Sequence, residues 1–262
     1  MLWILVSVAA VLAGLGGWTA WRFARRIARK TAAVGTAPAA PVTDLPRRLR
    51  DFAERAGVLG DAQHAPRRFA ITQDGTMRLR PDGPWLPFGA TQTFATGAPE
   101  FVWDARFRMF RVMDALVAGD GVLEARLFGI VPVATARDAA TTRAQLARYL
   151  AELPWVPWAI VANPAITWHE DGDAVTGEAR VGDATASITF MFDAAGDIVS
   201  VRGIRDRAVP GGSVPTPWVG AFTDHRDFDG ARLPARAEVA WEIDGAPFPY
   251  FRTEILDTSS PP

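Results

Sequence analysis

Five side chains of the 262-residue chain have the chemistry of a general acid or base in plausible strand or helix positions: Asp114, Glu124, Glu152, His169 and Glu170. A carboxylate-dependent hydrolase needs two such groups within reach of one substrate atom. Spacing along the chain pairs none of them. His169-Glu170-Asp171 reads as a strand end entering its turn, where the groups are solvated. Glu152 alone has a local partner, Arg148, four residues earlier on the same helical face. On the helix surface, which is the expectation, that pair contributes about 0–1 kcal/mol. Beneath a sheet it becomes a buried ion pair, costly to break and a candidate polar site.

Other chemistries are excluded by composition. There is no cysteine, which removes disulfides, thiol catalysis and thiolate metal sites. The three histidines, His64, His169 and His225, have no metal-ligand spacing, so no metal is expected. Lys30 is the only lysine, which removes Schiff-base chemistry from the rest of the chain. Neither a G-x-S-x-G elbow nor a Walker loop occurs. No catalytic residue is assigned and no cofactor is expected.

What the sequence has in abundance is tryptophan. Trp85, Trp103, Trp155, Trp158, Trp168, Trp218 and Trp241 follow the N-terminal segment. They can fill a core or line an apolar cavity. On the second reading Trp103, Trp155, Trp168, Trp218 and Trp241 form the wall, with Phe88, Phe107, Phe128, Met191 and Tyr250 beside them. Arg148 and Glu152 are then the polar point that orients a headgroup.

The elements that must position these residues follow from periodicity. Thr142 to Leu153 reads as a helix, with Thr142 and Gln145 as a capping box and Pro154 as its stop. It stands inside a run of strands. Phe69–Ile71 and Met77–Leu79 flank Asp74-Gly75, a hairpin signal. Trp85–Phe94, Phe101–Phe107, Met109–Val117 and Val122–Phe128 precede the helix; Ile166–Glu170, Ala174–Val181, Ala184–Phe192, Ile198–Ile204, Trp218–Phe228, Ala235–Ile243 and Phe248–Leu256 follow it. Such regular spacing predicts an α+β, mainly antiparallel sheet curled as a half-barrel, with the helix packed on its concave face.

Ahead of this domain, residues 1–23 read as a transmembrane helix, because Met1 to Trp21 carries no charged side chain. Residues 24–43 read as basic flank and linker, 44–58 as an amphipathic helix capped by Asp44, and 60–257 as the β domain. Residues 1–30 hold five basic groups and no acid, which places the domain on the cytoplasmic side of the inner membrane. The other 23 basic residues stand against all 29 acidic ones, a balance that excludes nucleic acid as a partner.

Several runs resemble an uncharacterised bacterial family known only as a domain of unknown function: W-L-P-F-x-A from Trp85, P-x-F-x-W-x-A from Pro99, R-Y-L-A-E-x-x-W-x-P from Arg148, F-D-x-x-G from Phe192, P-W-x-G from Pro217, and the Gly230 to Arg252 segment. The resemblance covers about residues 60–256 and implies no activity. Leu153-Pro154 ahead of Trp155 is a departure at the helix end. The strand–helix–strand order is also similar to the half-barrels of lipoprotein carriers, which hold acyl chains against a curved sheet. The leading expectation is therefore a membrane-associated protein that binds a lipid or other apolar ligand. A membrane-presented interaction module, with the Arg202–Gly212 segment as its contact, and a hydrolase stand as the alternatives.

Overall fold

The computed structural model describes the backbone of residues 2–228 and 230–261, and side chains other than those of residues 2–13 and Asp61. Among the described residues thirteen strands form one antiparallel sheet in the order β6-β5-β4-β3-β2-β1-β13-β12-β11-β10-β9-β8-β7. These are β1 Arg68–Met77, β2 Leu86–Ala95, β3 Phe101–Phe107, β4 Phe110–Val117, β5 Asp120–Leu127, β6 Val131–Ala136, β7 Ile166–Asp171, β8 Ala174–Val181, β9 Ala184–Phe192, β10 Ile198–Val209, β11 Gly212–Phe228, β12 Ala231–Ile243 and β13 Ala246–Ser259. The helices are α1 Leu2–Ala33, α2 Arg47–Arg55, α3 Ala139–Ala151 and α4 Pro157–Ala162. Strands β1 and β13 pair in the middle of the sheet, while β6 and β7, adjacent in the chain, are its two edges. The connection between those edges is α3, and it crosses the concave face of the curled half-barrel.

Alternation along the strands fills that concavity. Phe88, Ala90 and Phe94 of β2 and Phe101, Trp103 and Ala105 of β3 point inward with Leu116 of β4, against Leu146, Tyr149 and Leu150 of α3. From Ala144 to its end α3 is buried on all sides, as expected of a core helix rather than a surface one. Leu49, Phe52 and Ala53 of α2 join the same core, so this amphipathic helix closes one end of the half-barrel. The convex face is covered separately. Phe23 and Ile27 of α1 are buried against Val102, Met113, Ala115 and Val122, and Arg26 and Lys30 pair with Glu124 and Asp120 of β5.

Several local expectations are corrected. α3 starts at Ala139, with Asp138 as N-cap accepting from the Thr141 amide at 2.7 Å. Thr142 instead donates its hydroxyl to the Asp138 carbonyl, so no capping box forms. α2 starts at Arg47 behind Pro46, without a side-chain cap from Asp44. Strand β6 carries few inward apolar residues and is missed by periodicity. Among the described residues no helix is long and apolar enough to cross a membrane, so the expected transmembrane helix has no support in the fold. The side chains of residues 1–13, on which that expectation leaned, lie outside the described residues. The basic flank and the first residues of the expected linker, 24–33, continue α1, and Ile27 there is buried against the sheet.

The Asp74-Gly75 hairpin is also overturned, since β1 runs straight through both residues. Gly75 pairs with Thr253 on one side and Phe88 on the other. A Cβ at position 75 would collide with the Arg252 carbonyl oxygen and the Phe88 ring. The glycine is therefore present for close approach of strands rather than for a turn. We expect Gly75→Ala to lower unfolding free energy by about 1–3 kcal/mol, the usual cost of overpacking, measured by denaturant titration. An unchanged midpoint would mean that β13 is free to shift there.

Candidate functional site

The C-terminal half of α3 brings one charged side chain under the sheet. Arg148 is 7% exposed. Its Nη1 donates to Asp114 Oδ2 of β4 at 2.6 Å, its Nε to Glu152 Oε1 at 2.9 Å, and its Nη2 to Gln92 Oε1 of β2 at 3.4 Å. Gln92 Nε2 donates to the other oxygen of Glu152 at 2.5 Å, and Gln145 Nε2 to the other oxygen of Asp114 at 2.6 Å. The guanidinium lies over the rings of Trp103 and Phe101, 4.8 and 5.2 Å from their centroids, a contact that gains strength when desolvated. Burial acts to lower the pKa of Arg148, but Glu152 and Asp114 outweigh it and hold it above its ordinary value. Every carboxylate oxygen of the pair of acids thus has a donor. Both acids share one cation.

A cavity of about 410 Å³ opens beside this cluster, between α3 and the strands that the helices leave uncovered. That volume is in the range of small-molecule pockets. Asp114, Gln145, Arg148 and Glu152 lie on one side; Trp218, Trp241, Phe248, Tyr250 and Phe251 form the aromatic wall. The wall follows from register: Trp218 of β11 is opposite Trp241 of β12, which is opposite Phe248 of β13. Trp241 stacks on Tyr250 at 5.5 Å with the rings 18° apart. Trp218 Nε1 donates to Tyr250 Oη at 3.0 Å. Gln145 Oε1 is buried without a hydrogen-bond partner among the described residues.

Of the seven residues assigned from sequence, Arg148, Glu152, Trp218 and Trp241 line this cavity. The other three are elsewhere. Trp103 is fully buried beneath Arg148, its Nε1 on Gln73 Oε1 at 3.4 Å. Trp155 is fully buried in an edge-on contact with Phe222, donating to the Pro234 carbonyl at 3.1 Å. Trp168 lies on β7 against Phe190 and Gly177. Of the further wall residues, Tyr250 lines the cavity, Phe88 is buried behind it, and Phe128 is exposed on a turn. Of the five candidate acids and bases, only Asp114 and Glu152 come together. Glu124 faces the convex side, and His169 and Glu170 are exposed. Gln145 reads from sequence as a capping-box residue and Arg205 as part of the Arg202–Gly212 contact segment, and Gln92 is missed. The one available signal was polarity at inward positions of otherwise apolar strands.

The fold and this site define a class: a curled antiparallel half-barrel with a buried helix across its concave face and an aromatic cavity at the helix's open flank. The chain belongs to a family of unknown function, DUF6544, whose model matches residues 36–253. No curated protein matches it. Among solved structures it is similar to a LolA superfamily protein from Nitrosomonas europaea, at 9% identity and a TM-score of 0.45, covering 84% of this chain and 95% of that one. It is also similar to a DUF1329 family protein from Desulfovibrio piger, at 11% identity and a TM-score of 0.39, covering 83% and 94%.

Removing Arg148 leaves two carboxylates buried without their cation. We expect Arg148→Met to cost about 3–5 kcal/mol in unfolding free energy, the range for breaking a buried ion pair from one side. A loss below about 1 kcal/mol, as for surface pairs, would show that water reaches the cluster.

Proposed function

We propose that this protein binds a lipid or other apolar ligand in the cavity beside α3. The observation that carries the reading is the row of Trp218, Trp241, Phe248 and Tyr250, an aromatic wall on one side of about 410 Å³ of space that none of the described residues fills. Trp218 and Trp241 are already buried, at 4% and 8% exposure, while Phe248 and Tyr250 are half-buried; an apolar ligand in the cavity would cover the surface that these rings still expose. Asp114, Arg148 and Glu152 give the cavity a polar end, so a ligand with one polar group fits it better than a pure hydrocarbon. For the hydrolase alternative, Asp114 and Glu152 are the two candidate acids that come together, and each of their four oxygens accepts a hydrogen bond from within the protein.

The same reading has the chain held at the inner membrane through residues 1–30, with the β domain on the cytoplasmic side. Trp18 and Trp21 are exposed on α1, with the guanidinium groups of Arg22 and Arg25 over their rings at 4.6 and 4.8 Å. Arg26 and Lys30 are engaged by the sheet, while Arg22, Arg25 and Arg29 are exposed. Exposed tryptophan and arginine side by side suit an anionic membrane interface. The full chain is expected to sediment with the membrane fraction at low salt. Recovery in the soluble fraction would remove the membrane from the proposal.

Native mass spectrometry of the purified full chain should detect a non-covalent mass excess that denaturation releases and that incubation with membrane lipid extract restores. Trp241→Ala, which opens the middle of the wall, should reduce its occupancy several-fold. An unliganded mass before and after incubation would make the aromatic row a matter of packing alone.

A further inference from the structure

We infer that the ligand of this cavity is an anionic amphiphile, whose carboxylate or phosphate head rests on the Arg205 guanidinium and the Tyr250 hydroxyl while its apolar part lies on the Trp218–Trp241–Phe248 wall. The inference rests on the reading that the cavity holds an apolar ligand, and adds its charge and its point of recognition.

Each acid that lines the cavity already accepts from a donor within the protein. The acids are Asp114, Asp138, Glu152 and Asp206. Asp114 and Glu152 share Arg148. Asp138 caps α3 through the Thr141 amide and hydroxyl. Asp206 is held by Arg143 in a two-bond fork, at 3.0 and 3.1 Å. Arg148 is thus committed, and its charge is not available to a ligand. Arg205 is different. Its Nε donates to the Ala144 carbonyl of α3 at 3.0 Å and its Nη1 to Tyr250 Oη at 3.3 Å, both neutral acceptors. Among the described residues it has no carboxylate partner. A guanidinium has five N–H donors, so most of this fork has no acceptor among the described residues. Among the described residues Arg207, on the same rim, donates only to Thr216 Oγ1, at 3.4 Å. Among the described residues Arg78 donates to the carbonyls of Pro249 and Pro81 and lies over the rings of Trp85 and Phe248.

The Arg205 side chain is held in place. Its guanidinium lies 5.1 Å from the Trp218 centroid and 5.8 Å from that of Trp241, and its Nε bond ties it to the helix. Little conformational freedom is left for a ligand to remove. Tyr250 completes the donor set. Its oxygen accepts from both Trp218 Nε1 and Arg205 Nη1, which uses the two acceptor sites of a phenol and leaves its proton to donate. Among the described residues that proton has no acceptor.

Ligand charge follows from desolvation. An apolar molecule entering this cavity displaces water from a half-buried cation. A neutral ligand would leave that cation poorly solvated and uncompensated. A cationic ligand would add repulsion. A carboxylate or phosphate would accept from both Arg205 and Tyr250 in charge-assisted bonds, with the attached chain directed along the aromatic wall.

The test compares ligands of one chain length on the full-length protein: dodecanoate, dodecyl phosphate, dodecanol and dodecyltrimethylammonium, with acetate and inorganic phosphate as heads without tails. Binding is read by native mass spectrometry and by competition against an environment-sensitive fluorescent fatty acid. Dodecanoate and dodecyl phosphate are expected to bind at least about ten-fold more tightly than dodecanol, the factor that one hydrogen bond to a charged group supplies. The Arg205→Gln variant should bring that ratio close to one. Tyr250→Phe, which keeps the ring, should reduce it by several-fold and serves if the first variant fails to fold. Dodecanol or the ammonium compound binding as well as dodecanoate would overturn the anionic head and leave the apolar-ligand reading standing. Inorganic phosphate competing as well as dodecyl phosphate would make this a free-anion site and overturn the amphiphile. Failure of every twelve-carbon ligand to bind would overturn both readings together.

Discussion

The chain between β6 and β7 has to travel from one edge of the sheet to the other, and it does so as α3 across the concave face. That passage constrains everything around it. The first six strands run outward from β1 and the last seven run back to β13, so the β1–β13 pairing joins the two halves at the centre. From Ala144 onward the helix placed there is buried on all sides, and any polar side chain on that stretch must find partners within the fold, most of them on strands distant in sequence. Arg148 finds them on β2 and β4. Whatever such a cluster contributes to net stability, its geometry fixes the rotation of α3 against the sheet, because a single guanidinium fork has to meet Asp114, Glu152 and Gln92 at once.

The cavity is a consequence of the same passage. α2, α4 and the turn at Leu153–Trp155 fill the concavity beyond the end of α3. On the other flank the aromatic row of the long strands β11, β12 and β13 faces α3 across the cavity rather than packing directly against it. The polar cluster and the apolar wall therefore meet at one boundary of the helix. That juxtaposition gives the cavity an amphipathic character that neither a filled core nor an open sheet face would have. Arg205 stands at this boundary, bonded to the helix backbone and lying over the wall.

The α1 helix illustrates how a composition signal can have more than one use. Its basic run has the distribution of a topology signal, and part of it is spent on the protein itself: Arg26 and Lys30 pair with Glu124 and Asp120, and Phe23 and Ile27 cover the convex face of β3 and β4. The exposed remainder is Trp18, Trp21, Arg22, Arg25 and Arg29. A chain segment read only by hydropathy hides this division, because burial on one face of a helix does not alter the average along it.

The sequence by itself determined the mainly antiparallel sheet, the helix in its middle and the hairpins whose turns are local. Alternation has a period of two wherever one face is buried, and Asp244-Gly245 supplies the two left-handed residues, with φ of 53° and 76°, that a two-residue turn requires. The same dipeptide at Asp74-Gly75 lies inside a strand. There the deciding fact is the crowding of Gly75 by Arg252 and Phe88, residues that only the fold brings near. The site divides in the same way. Arg148 and Glu152 were visible as an i, i+4 pair, since helical spacing is local, but nothing local says that the pair is buried or that Asp114 and Gln92 share it. Trp218 and Trp241 were visible as aromatics on strands, yet Trp103, Trp155 and Trp168 carry the same local signature and are placed elsewhere. Which tryptophans face a cavity and which fill a core depends on where the helices stop, and that is settled by packing between segments far apart in the chain.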